Sequence, residues 1–270
     1  MKNLSKVFVL FMCIFLIAGL VAGCSQSQQP EEGQEAGGNQ GEKDIWVVGT
    51  SADYPPFESV DENGEFIGFD MDIIREVADR LGVELKIESM EFDSLIASLK
   101  QGKIDAIIAC MSPDEERLKE ADFTDAYYIT KHGLLVKEEG GAEINKLEDI
   151  LGYDVGVQTG TTMDKWITGK VEEGAIPADN VNRYSDANAG ALDVKQGRLD
   201  VFIVDAPVAY EKAKEVGLVV ALETVLEKDE NPGIVLKKGS TDMLEKLNGI
   251  IQEMKDDGTI QQLEEKWIKQ

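Results

Sequence analysis

The sequence predicts an α/β protein made of two similarly built lobes, and three observations carry that prediction. An apolar β-α-β-α-β series runs from Ile45 to Ala109. A second series of the same kind runs from Val155 to Val204. The stretch KQGKIDAIIA at 100–109 returns as KQGRLDVFIV at 195–204, each joining a helix end, a glycine, an aspartate and a buried strand. Such junctions are common, but the echo falls in the corresponding element of both series, which favours internal duplication.

In the first series, Ile45 to Thr50 is a β-rich apolar run. Residues 70–81 carry Ile73, Ile74, Val77, Ala78 and Leu81 at helical spacing, and Gly82 stops the helix. Val83, Leu85 and Ile87 alternate as a strand. Leu95, Ile96 and Leu99 mark a second helix stopped by Gly102, and Ile104 to Ala109 is a continuous apolar strand. This order requires right-handed crossovers and a mostly parallel sheet. In the second series, Val155 to Gln158, Val181 to Tyr184 and Leu199 to Val204 read as strands. Ala187, Ala191, Leu192 and Val194 lie on a helix stopped by Gly197. Near the end, Met243, Leu244, Leu247, Ile250, Ile251 and Met254 form one apolar stripe, and Ile260, Leu263 and Trp267 continue it beyond a break at Asp257-Gly258. These stripes read as core packing.

Length and composition bound the function. A chain of 270 residues with 43% hydrophobic residues can bury real cores. With 52 acidic against 27 basic residues, the net charge of −25 repels phosphate backbones and argues against nucleic-acid binding. Three cysteines and one histidine exclude a cysteine-rich zinc site and a disulfide scaffold. No metal or cofactor is expected.

At the N-terminus, Lys2 and Lys6 precede an apolar run from Val7 to Ala22, too short for a comfortable membrane span. Residues 1–23 read as a signal peptide. Val21-Ala22-Gly23-Cys24 resembles a bacterial lipobox, which makes Cys24 a lipidation site (palmitate-type acylation) and the first mature residue. Loss of two lysines takes the charge from −25 to −27, and leaves Cys110 as the one remaining thiol. Residues 24–43 then form the lipidated cysteine and a polar tether, about 24 Å in mean reach.

Open α/β sheets bind ligands beyond the carboxyl ends of their strands. That rule nominates Ser51, Asp53 and Tyr54 after the first strand, and Cys110 and Ser112, with Arg117 further on, after the third. In the second half it nominates Thr159 to Thr162 and Asp205. An arginine, an aspartate, hydroxyls and aromatic rings suit a zwitterion. A guanidinium grips a carboxylate bidentately, an aspartate accepts from an ammonium, and rings cover the aliphatic part.

The chain resembles the extracytoplasmic solute-binding proteins of bacterial amino-acid ABC importers, the polar amino-acid family with the type II periplasmic-binding fold. The motifs are DYPPFE at 53–58, GFDMDI at 68–73, MEFDSLIASL at 90–99, GKIDAI at 102–107, ERLKEADFTDAYY at 116–128, GVQTGTT at 156–162, VDAPVAY at 204–210 and DDGTI at 256–260. Together they cover residues 44–270 in a specific order. The resemblance implies a discontinuous first lobe at 44–126 plus 234–270, a second lobe at 132–228, and hinges near 127–131 and 229–233. It implies a monomeric, non-enzymatic receptor on the outer face of the membrane, held there by lipidated Cys24 alone. This receptor closes on a polar or charged free amino acid and delivers it to ABC permease subunits.

The family's roles fall on Tyr54 and Phe92 as rings around the ligand side chain, and on Ser112, Arg117 and Thr162 as carboxylate contacts. Asp205 takes the ammonium, with the backbone at Ala109 and Cys110 beside it. Ser51, Asp53, Gln158 and Thr161 complete the expected site. Cys110 replaces a small residue, Ser51 replaces a frequent Asp, and Pro113-Asp114 alter the stretch before Arg117, so the side-chain specificity departs from the family pattern. Other readings stay open. Asp205 also suits the cap of a helix starting at Pro207, one of Thr161 and Thr162 is a cap, and Tyr54 and Phe92 also suit a core. Cys110 reads as a small buried hydrophobe, and His132 as structural, without an acid partner. A catalytic member of the same fold, dehydratase or transglycosylase-like, is the alternative, as is a receptor for another amine or organic acid. Asp53, Glu58 and Asp205 are its candidate acids.

Overall fold

The computed structural model describes residues 45–228 and 230–269. The expected leader, Cys24 and its tether, and Asp229 of the second hinge lie outside the described residues. The chain opens with β1 (Ile45–Thr50), a small hairpin of β2 (Ser59–Val60) and β3 (Phe66–Ile67), α1 (Phe69–Leu81), β4 (Glu84–Ser89), α2 (Leu95–Lys100) and β5 (Ala106–Ile107). The short α3 (Arg117–Glu120) and β6 (Ala121–Phe123) follow. After a crossing come β7 (His132–Val136), β8 (Val155–Gln158), α4 (Thr162–Glu172), β9 (Val181–Tyr184), α5 (Ala187–Gln196), β10 (Val201–Asp205), α6 (Ala206–Val216) and β11 (Val219–Thr224). The chain returns through β12 (Val235–Lys237) and ends on α7 (Thr241–Asp256) and α8 (Thr259–Trp267).

Two five-stranded sheets result, ordered β4-β1-β5-β12-β6 and β11-β7-β10-β8-β9. The first contains residues from both ends of the described chain, because β12 enters between β5 and β6. Each sheet is four parallel strands with one reversed: β12 in the first, β7 in the second. The reversal has a simple cause. Each of these strands follows a crossing between lobes, so the chain enters its sheet from the cleft side rather than from a helical crossover. The crossings are tied by paired backbone bonds between Thr130 and Glu230, both 3.0 Å.

The strand expected at 104–109 is regular only at Ala106–Ile107. Asp105 and Ile108 still bond β1 through Val47 and Gly49, but the chain then turns away at Cys110, whose φ of 45° is left-handed. The strand expected at 199–204 is shifted to Val201–Asp205. Phe69, Ile73, Ile74, Val77, Leu247, Ile251 and Met254 are buried, which places the stripes of α1 and α7 in the core as the periodicity requires.

Candidate functional site

The site lies where the carboxyl ends of β1, β5, β8 and β10 meet between the sheets, around one cavity. Every one of the twelve sequence-nominated side-chain or backbone positions lines it: Ser51, Asp53 and Tyr54; Phe92; Ala109, Cys110, Ser112 and Arg117; Gln158, Thr161 and Thr162; and Asp205. Glu58, Met163 and Glu230 line it as well.

Arg117 is 5% exposed, and burial lowers its affinity for its proton, opposed by the charges of Asp114 and Glu230. Its Nη1 donates to Ser112 O and its Nη2 to Gly160 O at 2.8 Å. Each terminal nitrogen thus keeps a second N–H. The Phe92 ring centroid is 5.4 Å from the guanidinium carbon, so Phe92 packs on the cation. Asp114 accepts the Arg117 N–H at the start of the short α3 at 2.8 Å, and its other oxygen lies 3.4 Å from Arg117 Nε.

Asp205 is the N-cap residue of α6 by position, but its side chain makes no capping bond. Its Oδ2 accepts the Tyr54 hydroxyl at 2.8 Å, and its own N–H donates back to that hydroxyl at 2.9 Å. Its Oδ1 is buried with no hydrogen-bond partner among the described residues. Burial pushes this carboxyl up to about 7; His132 pulls it down, while Glu230 and Asp70 push it further up. Tyr54 is therefore both a cavity wall and a strap between lobes. Thr161, not Thr162, is the cap of α4, accepting from Asp164 N at 3.2 Å. The first turn of α4 meets the cavity at Thr161, Thr162 and Met163, and helix N-termini favour anions.

Asp53 points across the cleft. It accepts from Ala187 N at 2.6 Å, from Ser51 Oγ at 2.9 Å and from Gln158 Nε2 at 3.3 Å. Burial raises its carboxyl despite these donors. Lys165 of α4 bonds Asp114 at 2.7 Å and Glu116 at 2.8 Å at the rim. Gly160 approaches so closely that a Cβ there would sit 3.0 Å from Asp93 Cβ, and its φ of 77° is left-handed. The lobes are closed on one another.

His132 has the acid partner that sequence reasoning did not find: Nε2 lies 3.3 Å from Glu230 Oε1, with both side chains buried. Burial works to raise the Glu230 carboxyl, but contacts with His132, Ser112 and Thr162 hold it below its usual value. Cys110 is 8% exposed, and burial with the nearby Asp205 and Asp70 charges pushes its thiol well up, so it is an unreactive wall. No cluster of metal-ligating residues occurs among the described residues.

A two-lobed frame closed over one polar cavity, with a buried cation and a buried carboxylate on facing walls, defines a small-molecule binding protein. The chain belongs to the bacterial extracellular solute-binding proteins, family 3, whose model matches residues 46–270. It is 31% identical over 253 residues to the L-cystine-binding protein TcyJ of Escherichia coli (strain K12), covering 94% of this chain and 92% of that one. A solved ancestral arginine-binding protein bound to arginine superposes with TM-score 0.76 at 37% identity, covering 83% of this chain and 97% of that one. The ancestral amino acid-binding protein AncCDT-1, a precursor of cyclohexadienyl dehydratase, superposes with TM-score 0.74 at 32% identity, covering 83% and 95%. The expected fold class is borne out by these likenesses, all well above the level at which fold alone is shared.

Proposed function

We propose that this protein is the extracytoplasmic receptor of an ABC importer and binds one free amino acid in the cavity. The observation that carries the reading is the pairing of Arg117 with the unpartnered Asp205 Oδ1 on facing walls. The spare Nη hydrogens of Arg117, with the first turn of α4, take the α-carboxylate. Asp205 takes the α-ammonium, for which a buried carboxylate oxygen without a donor is the natural acceptor. Ser51, Asp53 and Gln158 then face the ligand side chain, and favour one that donates hydrogen bonds, cationic or amide-bearing. Arginine and cystine, the ligands in the names of the similar proteins, both carry donors.

The lobes correspond to 44–126 plus 234–270 and to 132–228, hinged near 127–131 and 229–233. Residues 1–23 are a leader, and Cys24 carries the lipid that anchors a monomer to the outer membrane face beside its permease. Mass spectrometry of the membrane fraction should find acyl groups on Cys24; an unmodified mature terminus there rejects the tether.

The ligand reading is tested by a thermal-shift screen of the folded domain against the common amino acids and related amines. A ligand at 100 times its dissociation constant adds about 2.7 kcal/mol. A screen in which no zwitterion stabilises the protein rejects the reading. The AncCDT-1 likeness and the raised Asp205 carboxyl favour one rival, a dehydratase. Turnover of prephenate-like acids would support it, and their recovery unchanged would support a receptor.

A further inference from the structure

Two carboxyl groups, Glu58 in the cavity wall and Asp70 behind it, are not used by ligand binding as described. Asp70, in the first turn of α1, is fully buried, and Glu58 is 1% exposed. Asp70 Oδ2 accepts the Cys110 N–H at 2.7 Å and the Tyr127 hydroxyl at 2.8 Å. Among the described residues its Oδ1 has no donor, nor has either oxygen of Glu58. The two carboxyls lie near enough for each to shift the other's affinity for its proton. The charged groups facing Glu58 are all acidic: Asp70 from α1, Asp53 from its own loop and Asp205 from the other lobe. The groups facing Asp70 are Glu58, Tyr127, Cys110 and Asp205.

Two neighbouring buried carboxylates, with no cation beside them among the described residues, cannot both be ionised. Three buried oxygens without a donor are also an unusual concentration for a folded protein. One proton removes both difficulties. Placed on Glu58, it makes a donor for Asp70 Oδ1, while Asp70 keeps the negative charge that strengthens its bonds to Cys110 and Tyr127. Cys110 needs that hold, because a left-handed φ of 45° is strained for a residue other than glycine.

We propose that Glu58 and Asp70 share one proton, carried by Glu58, as a positioning pair that pins the Cys110 turn in the wall of the ligand cavity. The pair acts through Cys110 and not by touching the ligand carboxylate. In direction, burial first and then the Asp70 charge raise the Glu58 carboxyl well above its usual range. Burial raises Asp70 only to about 6, since the Cys110, Tyr127 and Glu58 hydrogen bonds oppose it.

The test needs no ligand, so its failure is distinct from failure of the amino-acid reading. Wild-type protein is labelled with carboxyl-13C glutamate and followed by NMR from about pH 4 upward. One glutamate carboxyl should remain protonated at neutral pH, and its resonance should vanish in Glu58→Gln. The Cys110 amide proton should move with the same midpoint, and that step should be lost in Glu58→Gln, whose side-chain N–H replaces the proton. From the ordinary glutamate value of 4.5 upward, until Glu58 ionises in the folded state, the folding equilibrium constant of the wild type should fall, relative to Glu58→Gln, by up to tenfold per pH unit. Glutamate carboxyls that all titrate near their ordinary value, or a Cys110 amide that ignores the titration, overturn the proposal. If Glu58→Gln does not fold, the wild-type co-titration decides alone.

Discussion

The two lobes share one frame and use it for opposite charges. In the first, Asp105 Oδ2 accepts the Val47 N–H at 2.8 Å and its own N–H returns to Val47 O at 2.7 Å. In the second, Asp200 Oδ2 accepts from Asp154 at 3.0 Å and returns a bond at 3.1 Å. Gly49 pairs with Ile107 in one sheet and Gly156 with Phe202 in the other. A Cβ on Gly49 would meet Ile104 at 2.5 Å, and one on Gly156 would meet Leu199 at 2.4 Å. Those partners are the same position of the repeated sequence, one residue before its aspartate.

Counting on from these anchors, Ser51 and Gln158 each stand two residues past the glycine, and Cys110 and Asp205 each stand five past the aspartate. All four line the cavity. At the second pair the lobes part. Cys110 is a left-handed turn leading to Ser112 and Arg117, whereas Asp205 has extended backbone, φ −61° and ψ 145°, leading straight into α6. The frame thus decides where a residue meets the cavity, and the local chain decides whether a cation or a carboxylate stands nearby.

The difference is broken most directly on the cationic wall. Arg117→Ala leaves a ligand carboxylate desolvated without its partner, a loss on the order of 2–5 kcal/mol, or at least about 30-fold in affinity. Calorimetry on the variant, with circular dichroism to show it folded, checks this. Near-wild-type affinity would falsify the carboxylate clamp.

The anionic wall should respond to pH. Burial raises Asp205 to about 7 in the empty site, and a bound ammonium favours its ionised form. Affinity should therefore weaken as pH falls below about 7, by up to tenfold per unit, with protons released on binding. Asp205→Asn should bind poorly and lose this dependence. Stability of the empty protein runs the other way. The raised carboxyl contributes fully near its ordinary value of 3.8, and that contribution is lost as pH rises towards about 7.

The shared frame predicts the smallest effect, and it predicts it twice. Gly49→Ala and Gly156→Ala should each destabilise their lobe by overpacking, about 1–3 kcal/mol, and by similar amounts. Urea titrations of the two variants measure both. A large cost at one glycine and none at the other would count against equivalent frames.

Much of this is legible in the sequence. Helical spacing in 70–81 and 243–254 located buried faces, because a helix core stripe is written in consecutive residues. The repeated KQG-x-x-D stretch located the equivalent strands. The carboxyl ends of four apolar runs, with the family resemblance, named positions that all reach one cavity. Each of these signals is local in the chain, or repeats within it.

What escaped the sequence joins residues far apart. The sequence carried no sign that His132 would lie against Glu230, or that Glu58 would lie near Asp70, since neither pair is close along the chain. Nor could it show that the two strands entering from the crossings would run against their neighbours. Asp205 suited a helix cap as well as a ligand acceptor, and only the Tyr54 hydroxyl on its Oδ2 settles which bond that oxygen makes. Propensity and periodicity act within an element, so the sequence determines the elements and their buried faces. Burial, which raises Asp205, Asp70 and Glu58, exists only once distant elements have closed over them, and the state of the site's protons belongs to the tertiary structure.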